Sequence, residues 1–365
     1  MSSTSSRLAS IGGASLRPRR SRARGPRTPA RASASASASA SASSSFARVD
    51  AAFAAAASGE WEGHRVYFDA SGAPAPLPDN VLPPAFKEWG QVLVDWQSQC
   101  AMRVDPDDRD AAVYARELRF LPTAGCEADS STVETAYART VPAADVTPAP
   151  ADAAVAPGTY SAGPTRLPAA AAAADAAAEA AEAASASAFV VEHCLGFDDP
   201  ADDDTRARVR VQQRLALDPS SGLLAVADVS AWKEYYYEPF ADAASLCASC
   251  GGPNKWGDTK PRDADDVDDG AWERSGDGDG EAWGGFAAGA EHLAMLPAGV
   301  WSAAWREAGG GFALEAGWVV PVRDAAYLPQ KRERETLVAS RRRYDAGGEL
   351  VEAAFFQSTR PPRPA

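Results

Sequence analysis

The chain has 365 residues, 24% of them charged, and a formal net charge of −14. That average hides a division: the first 45 residues hold eight arginines and no acid, so the remainder carries 28 basic against 50 acidic residues, a formal net of −22. A body that acidic repels phosphate backbones and anionic membrane surfaces, which sets nucleic-acid binding aside, and no apolar run reaches the about 18 residues of a membrane-spanning helix.

Residues 1–45 are arginine-rich, serine-rich and acid-free, ending in the Ala/Ser alternation of residues 32–43. That composition marks an organelle transit peptide, and the lack of a continuous apolar core separates it from a secretory signal. Serine outweighs any amphipathic helical pattern, so a chloroplast address is expected, with the mature protein in the stroma. The five cysteines (Cys100, Cys126, Cys194, Cys247 and Cys250) are odd in number and scattered, which argues against a disulfide framework.

Phe46, Val49 and Phe53 recur at helical spacing and predict a short helix over 46–57, placed to plug one end of a barrel. Gly59-Glu60-Trp61 then opens a strand over 60–68. The glycine admits a conformation that a Cβ forbids, and Trp61 is large enough to close the end of a small barrel. Residues 69–72 read as a turn, 74–84 as a proline-rich loop and 85–89 as a helical turn. Strands are predicted over 91–104, 112–121 and 132–140, where Val133, Thr135 and Tyr137 share a face. Residues 141–187, dominated by Ala and Pro, read as an insertion. Strands resume at 189–197 and 206–217. In the latter, Val209, Val211, Leu215 and Leu217 lie on one face and Arg206, Arg208, Arg210, Gln212 and Arg214 on the other, the pattern of a half-buried antiparallel strand. A turn at 218–222 folds it onto 223–237.

Residues 251–285 are a second insertion, rich in Asp and Gly. Asp277–Glu281 resembles part of a calcium loop but has Ser275 where a further acid or amide is wanted, so a solvating acidic loop is expected. Strands follow at 291–296, 300–306, 312–321, 336–345 and 350–357, the last two joined by a turn containing Gly347 and Gly348. With no strand–helix–strand alternation, these about nine to eleven strands predict an all-β, antiparallel up-and-down barrel. It forms one domain over 46–360, interrupted by 141–187 and 251–285.

Gly59-Glu60-Trp61 on the first strand, the meander that follows and an arginine late in the chain (one of Arg341, Arg342 and Arg343) resemble the calycin superfamily. Within it the chain is most similar to the lipocalin-like proteins of cyanobacteria and plastids, a group that includes bilin lyases. The resemblance implies a late-strand arginine lying over Trp61 at the closed end of the barrel, a contact of about 0.5–2 kcal/mol. It also implies a hydrophobic small molecule as partner: a tetrapyrrole, pigment or lipid. The chain departs from secreted lipocalins in having no clear disulfide pair and in its long insertions.

Cys247 and Cys250 form a Cys-x-x-Cys pair without a second pair to complete a zinc site and without the strand-to-helix context of a redox dithiol. If Trp61 faces inward, alternation turns His64 outward. His193 shares a face with Val191 and Leu195 and is the histidine placed inside, as a core residue or as a ligand to a haem-like group. The arginine face of 206–214 is either solvated or lines a pocket for carboxylates. Three consecutive arginines on a strand split between faces, so one of Arg341–Arg343 points inward and needs an anion or an aromatic face. Trp232, Tyr235–Tyr237, Trp301, Trp305 and Trp318 make the interior aromatic, as packing or as a cavity lining. The side chains expected to contact a ligand are therefore Trp61, Arg210, His193, Trp301, Trp318 and Arg342. No catalytic signature or metal site is indicated, and the cofactor, if any, is unspecified. The expected role is binding of a hydrophobic small molecule. The alternatives are delivery of a bilin to a client protein, or an assembly factor whose filled barrel docks a protein.

Overall fold

The computed structural model describes residues 48–82, 84–120, 135–168, 189–199, 205–218, 221–244, 256–275, 283–322 and 332–362. Helix α1 (Ala51–Ala57) is capped by Asp50, whose Oδ1 accepts from the Phe53 amide at 2.8 Å. Strand β1 (Gly59–Asp69) starts at Gly59 with φ +151°, where a Cβ would also lie 2.5 Å from the Tyr236 ring, so only glycine fits. The Asp69 carboxylate accepts from the Ser71 and Ala73 amides and closes the turn after β1. Helix α2 (Pro84–Glu88) precedes β2 (Asp95–Val104), β3 (Val113–Phe120) and β4 (Thr135–Val141). Next come β5 (Val146–Pro148), β6 (Tyr160–Ala162), β7 (Phe189–Asp198), β8 (Arg206–Leu217) and β9 (Leu224–Glu238).

These strands form one antiparallel sheet in the order β4-β3-β2-β1-β9-β8-β7-β6-β5. First and last strands pair in its middle, and the two edges, β4 and β5, are consecutive and joined by residues 142–145. The sheet therefore curls into a nearly closed barrel, which leaves little exposed edge. Beyond it lie α3 (Ala264–Val267), β10 (Glu273–Arg274), β11 (His292–Leu296), β12 (Val300–Arg306), β13 (Phe312–Val320), β14 (Glu335–Tyr344) and β15 (Leu350–Arg360). They form a second antiparallel sheet in the order β10-β15-β14-β13-β12-β11. The antiparallel barrel is as expected. The strands after 291, expected to complete it, build this separate layer.

One face of the second sheet (Ala294, Val300, Leu314, Trp318 and Val338) packs on the outer barrel wall (Val66, Val191, Val209, Val211 and Ala231) in the largest apolar cluster. On its other face Trp301, Val319, Leu337 and Phe356 are covered by Val267, Trp272, Trp283 and Phe286. Two sequence expectations change here. Residues 146–148 and 160–162, inside the first supposed insertion, are barrel strands. Within the second, Val267 and Trp283 are buried over the second sheet and Trp256 packs edge-on to Phe68 of the barrel wall, so these residues are packed cover rather than a solvated loop. Residues 169–188 and 276–282, with Asp277–Glu281, lie outside the described residues, as do Cys126, Cys247 and Cys250.

Candidate functional site

Because side chains alternate along a strand, the barrel has an inner and an outer set. Register places Trp61, Gly63, Arg65 and Tyr67 of β1 beside Tyr236, Glu234, Trp232 and Ser230 of β9. These in turn flank Arg208, Arg210 and Gln212 of β8, which neighbour Gly196, Cys194 and Glu192 of β7. The inner set is ionic. Glu234 Oε2 accepts from Arg208 Nε at 2.7 Å and Arg210 Nε at 2.8 Å, and its Oε1 accepts from Arg210 Nη2 at 2.7 Å. Glu192 accepts from Tyr160 (2.5 Å), Gln212 (2.5 Å) and Arg139 (2.7 Å). Burial alone would raise the Glu192 pKa, but Arg139, Arg210 and the two hydrogen bonds from Tyr160 and Gln212 hold it well below the usual carboxylate range. The same opposition, with Arg208 and Arg210 prevailing, lowers Glu234. The guanidiniums also lie over aromatic faces: Arg208 is 3.9 Å from the Trp61 ring centroid and Arg210 4.5 Å from that of Trp232. Burial pushes the Cys100 thiol up to about 11 and Cys194 up to about 12, so neither is a nucleophile.

The two ends of the barrel differ. At one, α1 sits as a plug, with Phe53 edge-on to Tyr160 at 5.7 Å and packed in the cluster of Trp61, Met102 and Val113. At the other is an open cleft of about 600 Å³, lined by Arg65, Tyr67, Gln212, Ser230, Arg214 and Asp228, with Ala75, Val190 and Ala227 at its apolar side. Arg65 is held between the Tyr67 and Trp232 rings, 4.3 Å from each centroid, and Nη1 donates to Glu117 at 3.2 Å. Arg119 donates to the Tyr67 hydroxyl at 2.8 Å. A floor fixed this way presents hydrogen-bonding edges in set directions, which is what a small-molecule site requires.

The expected contact residues separate into three places. Trp61 and Arg210 face the barrel interior. The arginine over Trp61 is Arg208, with Arg206 at 5.7 Å, and not one of Arg341–Arg343. The reason is topological: β9 closes on β1, so β8 lies next to the first strand's partner while β14 belongs to the other sheet. The solvated-face alternative holds only toward the end of β8, where exposed Arg214 pairs with Asp228; Arg208 and Arg210 are buried, as are Val209 and Val211 behind them.

His193, Trp318 and Arg342 lie between the barrel wall and the second sheet. His193 Nδ1 meets Ser340 Oγ at 3.0 Å, and burial lowers the imidazole to about 3, leaving it neutral. It faces packed side chains, not the barrel interior, which removes the haem reading for it. Trp318 packs edge-on to Phe197. Arg342 is the inward member of its triplet, and its guanidinium lies 5.9 Å from the Tyr344 ring centroid. It donates to Tyr344 Oη (3.1 Å), Ser161 Oγ (3.2 Å) and the Gly163 carbonyl (3.0 Å). Trp301 lies on the far face of the second sheet, against Trp283 and Phe286. Sequence reasoning missed Glu192, Glu234, Arg65, Tyr67 and Ser230. Among the described residues, no cluster of three or more His, Cys, Asp or Glu is arranged to hold a metal ion.

No family model matches the chain, and no curated protein matches it. Among solved structures it is similar to a protein of unknown function of the DUF3598 family from the cyanobacterium Nostoc punctiforme. The two are 14% identical with a TM-score of 0.41, over 85% of this chain and 98% of that one.

Proposed function

We propose that this is a binding protein whose barrel takes a small amphipathic molecule at its open mouth. The observation that carries the reading is the cleft of about 600 Å³ above the Arg65–Tyr67–Gln212–Ser230 floor, within the roughly 300–1,000 Å³ typical of small-ligand sites. The polar floor and the strip of Ala75, Val190 and Ala227 favour a ligand with a hydrogen-bonding end and an apolar body. Acid-bearing pigments such as tetrapyrroles, and lipid acids, fit that description. A wholly apolar guest is disfavoured, because it would strip water from the Arg214, Asp228, Gln212 and Ser230 side chains that line the cleft without replacing its hydrogen bonds. The test is native mass spectrometry of the full chain after incubation with a photosynthetic cell extract. The expected result is one stoichiometric small-molecule adduct, absent after Ala227→Trp.

Delivery to the chloroplast stroma belongs to the same proposal and rests on the acid-free, Arg- and Ser-rich residues 1–45. Import of a fluorescent fusion of those residues into isolated chloroplasts tests it. The filled ionic centre of the barrel favours a second reading, a protein-docking barrel, supported by the 58% exposed Trp89 and 60% exposed Val92. If that reading is right, Ala227→Trp leaves function intact while Trp89→Ser impairs it.

A further inference from the structure

We infer that the mouth receives its ligand acid end first: a singly charged acid group sits on the Tyr67 and Ser230 hydroxyls in front of Arg65, and the apolar body lies outward along Ala75, Val190 and Ala227. If the mouth is the binding site, on which this rests, the same residues fix the ligand's charge and its direction. Three observations converge on it.

The first is a pair of unused hydroxyls. Tyr67 of β1, Ser230 of β9 and Gln212 of β8 are cross-strand neighbours in one row, and all three line the cleft. Ser230 is 9% exposed, and its hydroxyl has no hydrogen-bond partner among the described residues. Tyr67 Oη accepts from Arg119 Nη1 at 2.8 Å, so its own proton is left to donate. A charged donor on that oxygen polarises the hydroxyl and strengthens it as a donor in turn. Gln212 Nε2 donates to Glu192, which fixes the amide at the end of the row.

The second is charge. Among the described residues of the inner set, five guanidiniums (Arg65, Arg119, Arg139, Arg208 and Arg210) share three carboxylates (Glu117, Glu192 and Glu234), so the interior stays positive however the pairs are drawn. Burial lowers the Arg65 pKa, and Glu117, which raises it, is opposed by Arg119 and Arg210. An enclosed positive field attracts an anion and repels a cation. Asp69 and Asp228 also border the cleft, but at its rim, where Asp69 accepts from the Ser71 and Ala73 amides and Asp228 pairs with Arg214. These two carboxylates disfavour a second negative charge on the guest.

The third is the order of polarity with depth, which the register gives. The outermost row pairs Asp69, Asp228, Arg214 and Val190, with Ala227 in the bulge beside it. One step inward come Tyr67, Ser230 and Gln212, and one further Arg65, Trp232 and Arg210. Apolar surface, including the 39% exposed Val190, therefore lies outside the hydroxyls, and the guanidiniums lie behind them. An amphipathic acid entering acid first matches that order. Entering tail first, it would press its chain on Arg65 and the hydroxyls and leave them without partners.

Calorimetric titration of the full chain with decanoate, decanol and decyltrimethylammonium, three guests with one chain length and different heads, tests the seating. Decanoate is expected to bind one per chain and about tenfold or more tighter than decanol, and the ammonium not to bind. Tyr67→Phe, which keeps the ring but removes the donor, and Ser230→Ala each lower the preference for decanoate over decanol by about fivefold or more. The thermal melt of each variant reports its folding independently of the guest. Decanol or the ammonium binding as tightly as decanoate, or a preference unchanged in both variants, would overturn the acid-first seating while the mouth stands as a site. Binding of none of the three, or decanoate binding that survives Ala227→Trp, would remove the mouth as the site and the seating with it.

Discussion

Glu234 is the residue on which the barrel interior depends most, and Glu234→Gln isolates its charge. The amide matches the carboxylate in size, so no cavity forms. The lost quantity is the negative charge that faces two guanidiniums through three hydrogen bonds of 2.7–2.8 Å, with Glu234 at 0% and both arginines at 2% side-chain exposure. Breaking one partner of a buried pair costs about 3–5 kcal/mol, and a carboxylate serving two partners belongs at the upper end. Urea unfolding followed by tryptophan fluorescence should show a lower midpoint with an unchanged slope. The triple change Arg208→Met, Arg210→Met and Glu234→Leu should recover most of the loss, because removing a whole ionic cluster is far less costly than orphaning part of it. A Glu234→Gln loss below about 1 kcal/mol, the value of a solvent-exposed pair, would mean that water reaches these groups and that the interior is not sealed.

Acid should weaken the packing between the layers. The folded pKa values are about 3 for His193 and about 4 for His292, both lowered by burial from 6.5. Unfolding therefore takes up protons: stability is complete above pH 6.5 and is lost as pH falls toward 4, by up to about 1.4 kcal/mol per pH unit for each histidine. Glu192 and Glu234, with lowered pKa values, add losses only below about 4.5, whereas Glu315, Asp145 and Asp198, raised by burial, shift stability in the opposite direction on acidification, so the double change His193→Gln, His292→Gln isolates the histidines' part of the urea midpoints between pH 7.5 and 5. Cys100 and Cys194 should resist iodoacetamide at pH 8 in the folded chain and react on unfolding, as peptide mapping by mass spectrometry will show; native labelling at either would contradict their burial. A Cβ at Gly317 would lie 1.8 Å from the Trp301 ring, so Gly317→Ala should destabilise by at least about 1–3 kcal/mol, with partial rescue by Trp301→Leu in the same thermal melt.

Much of the architecture is legible in the residues. The capped helix before Gly59, the Gly-x-Trp entry, the alternation in β8 and the antiparallel meander follow from local spacing. The interior is harder to read, and a single residue shows why. Counting back from the 218–222 turn pairs Leu217 with Leu224 and Leu215 with Val226, which would set Arg208 opposite Lys233. A β-bulge leaves Ala227 unpaired and shifts the register by one, so Arg214 meets Asp228 and Arg208 meets Glu234. That shift reverses which half of β9 faces inward, and it turns an apparently wet arginine stripe into a matched ionic core. The second sheet hides another distinction. Val209 and Val211 look like the inner face of a barrel, yet they are the outer wall, buried because another layer covers it. Alternation reports two faces but not which of them is inside when both are buried.

A titration with 8-anilinonaphthalene-1-sulfonate tests the proposed small-molecule site at the open end of the barrel. The probe joins an anionic group to an aromatic body and matches the polar floor and apolar side of the cleft. Saturable binding of one probe per chain is expected, abolished by Ala227→Trp, which fills the cleft from a partly exposed position, with the melting temperature unchanged. Binding that persists at full strength in Ala227→Trp, or no saturable binding by the parent chain, would contradict it.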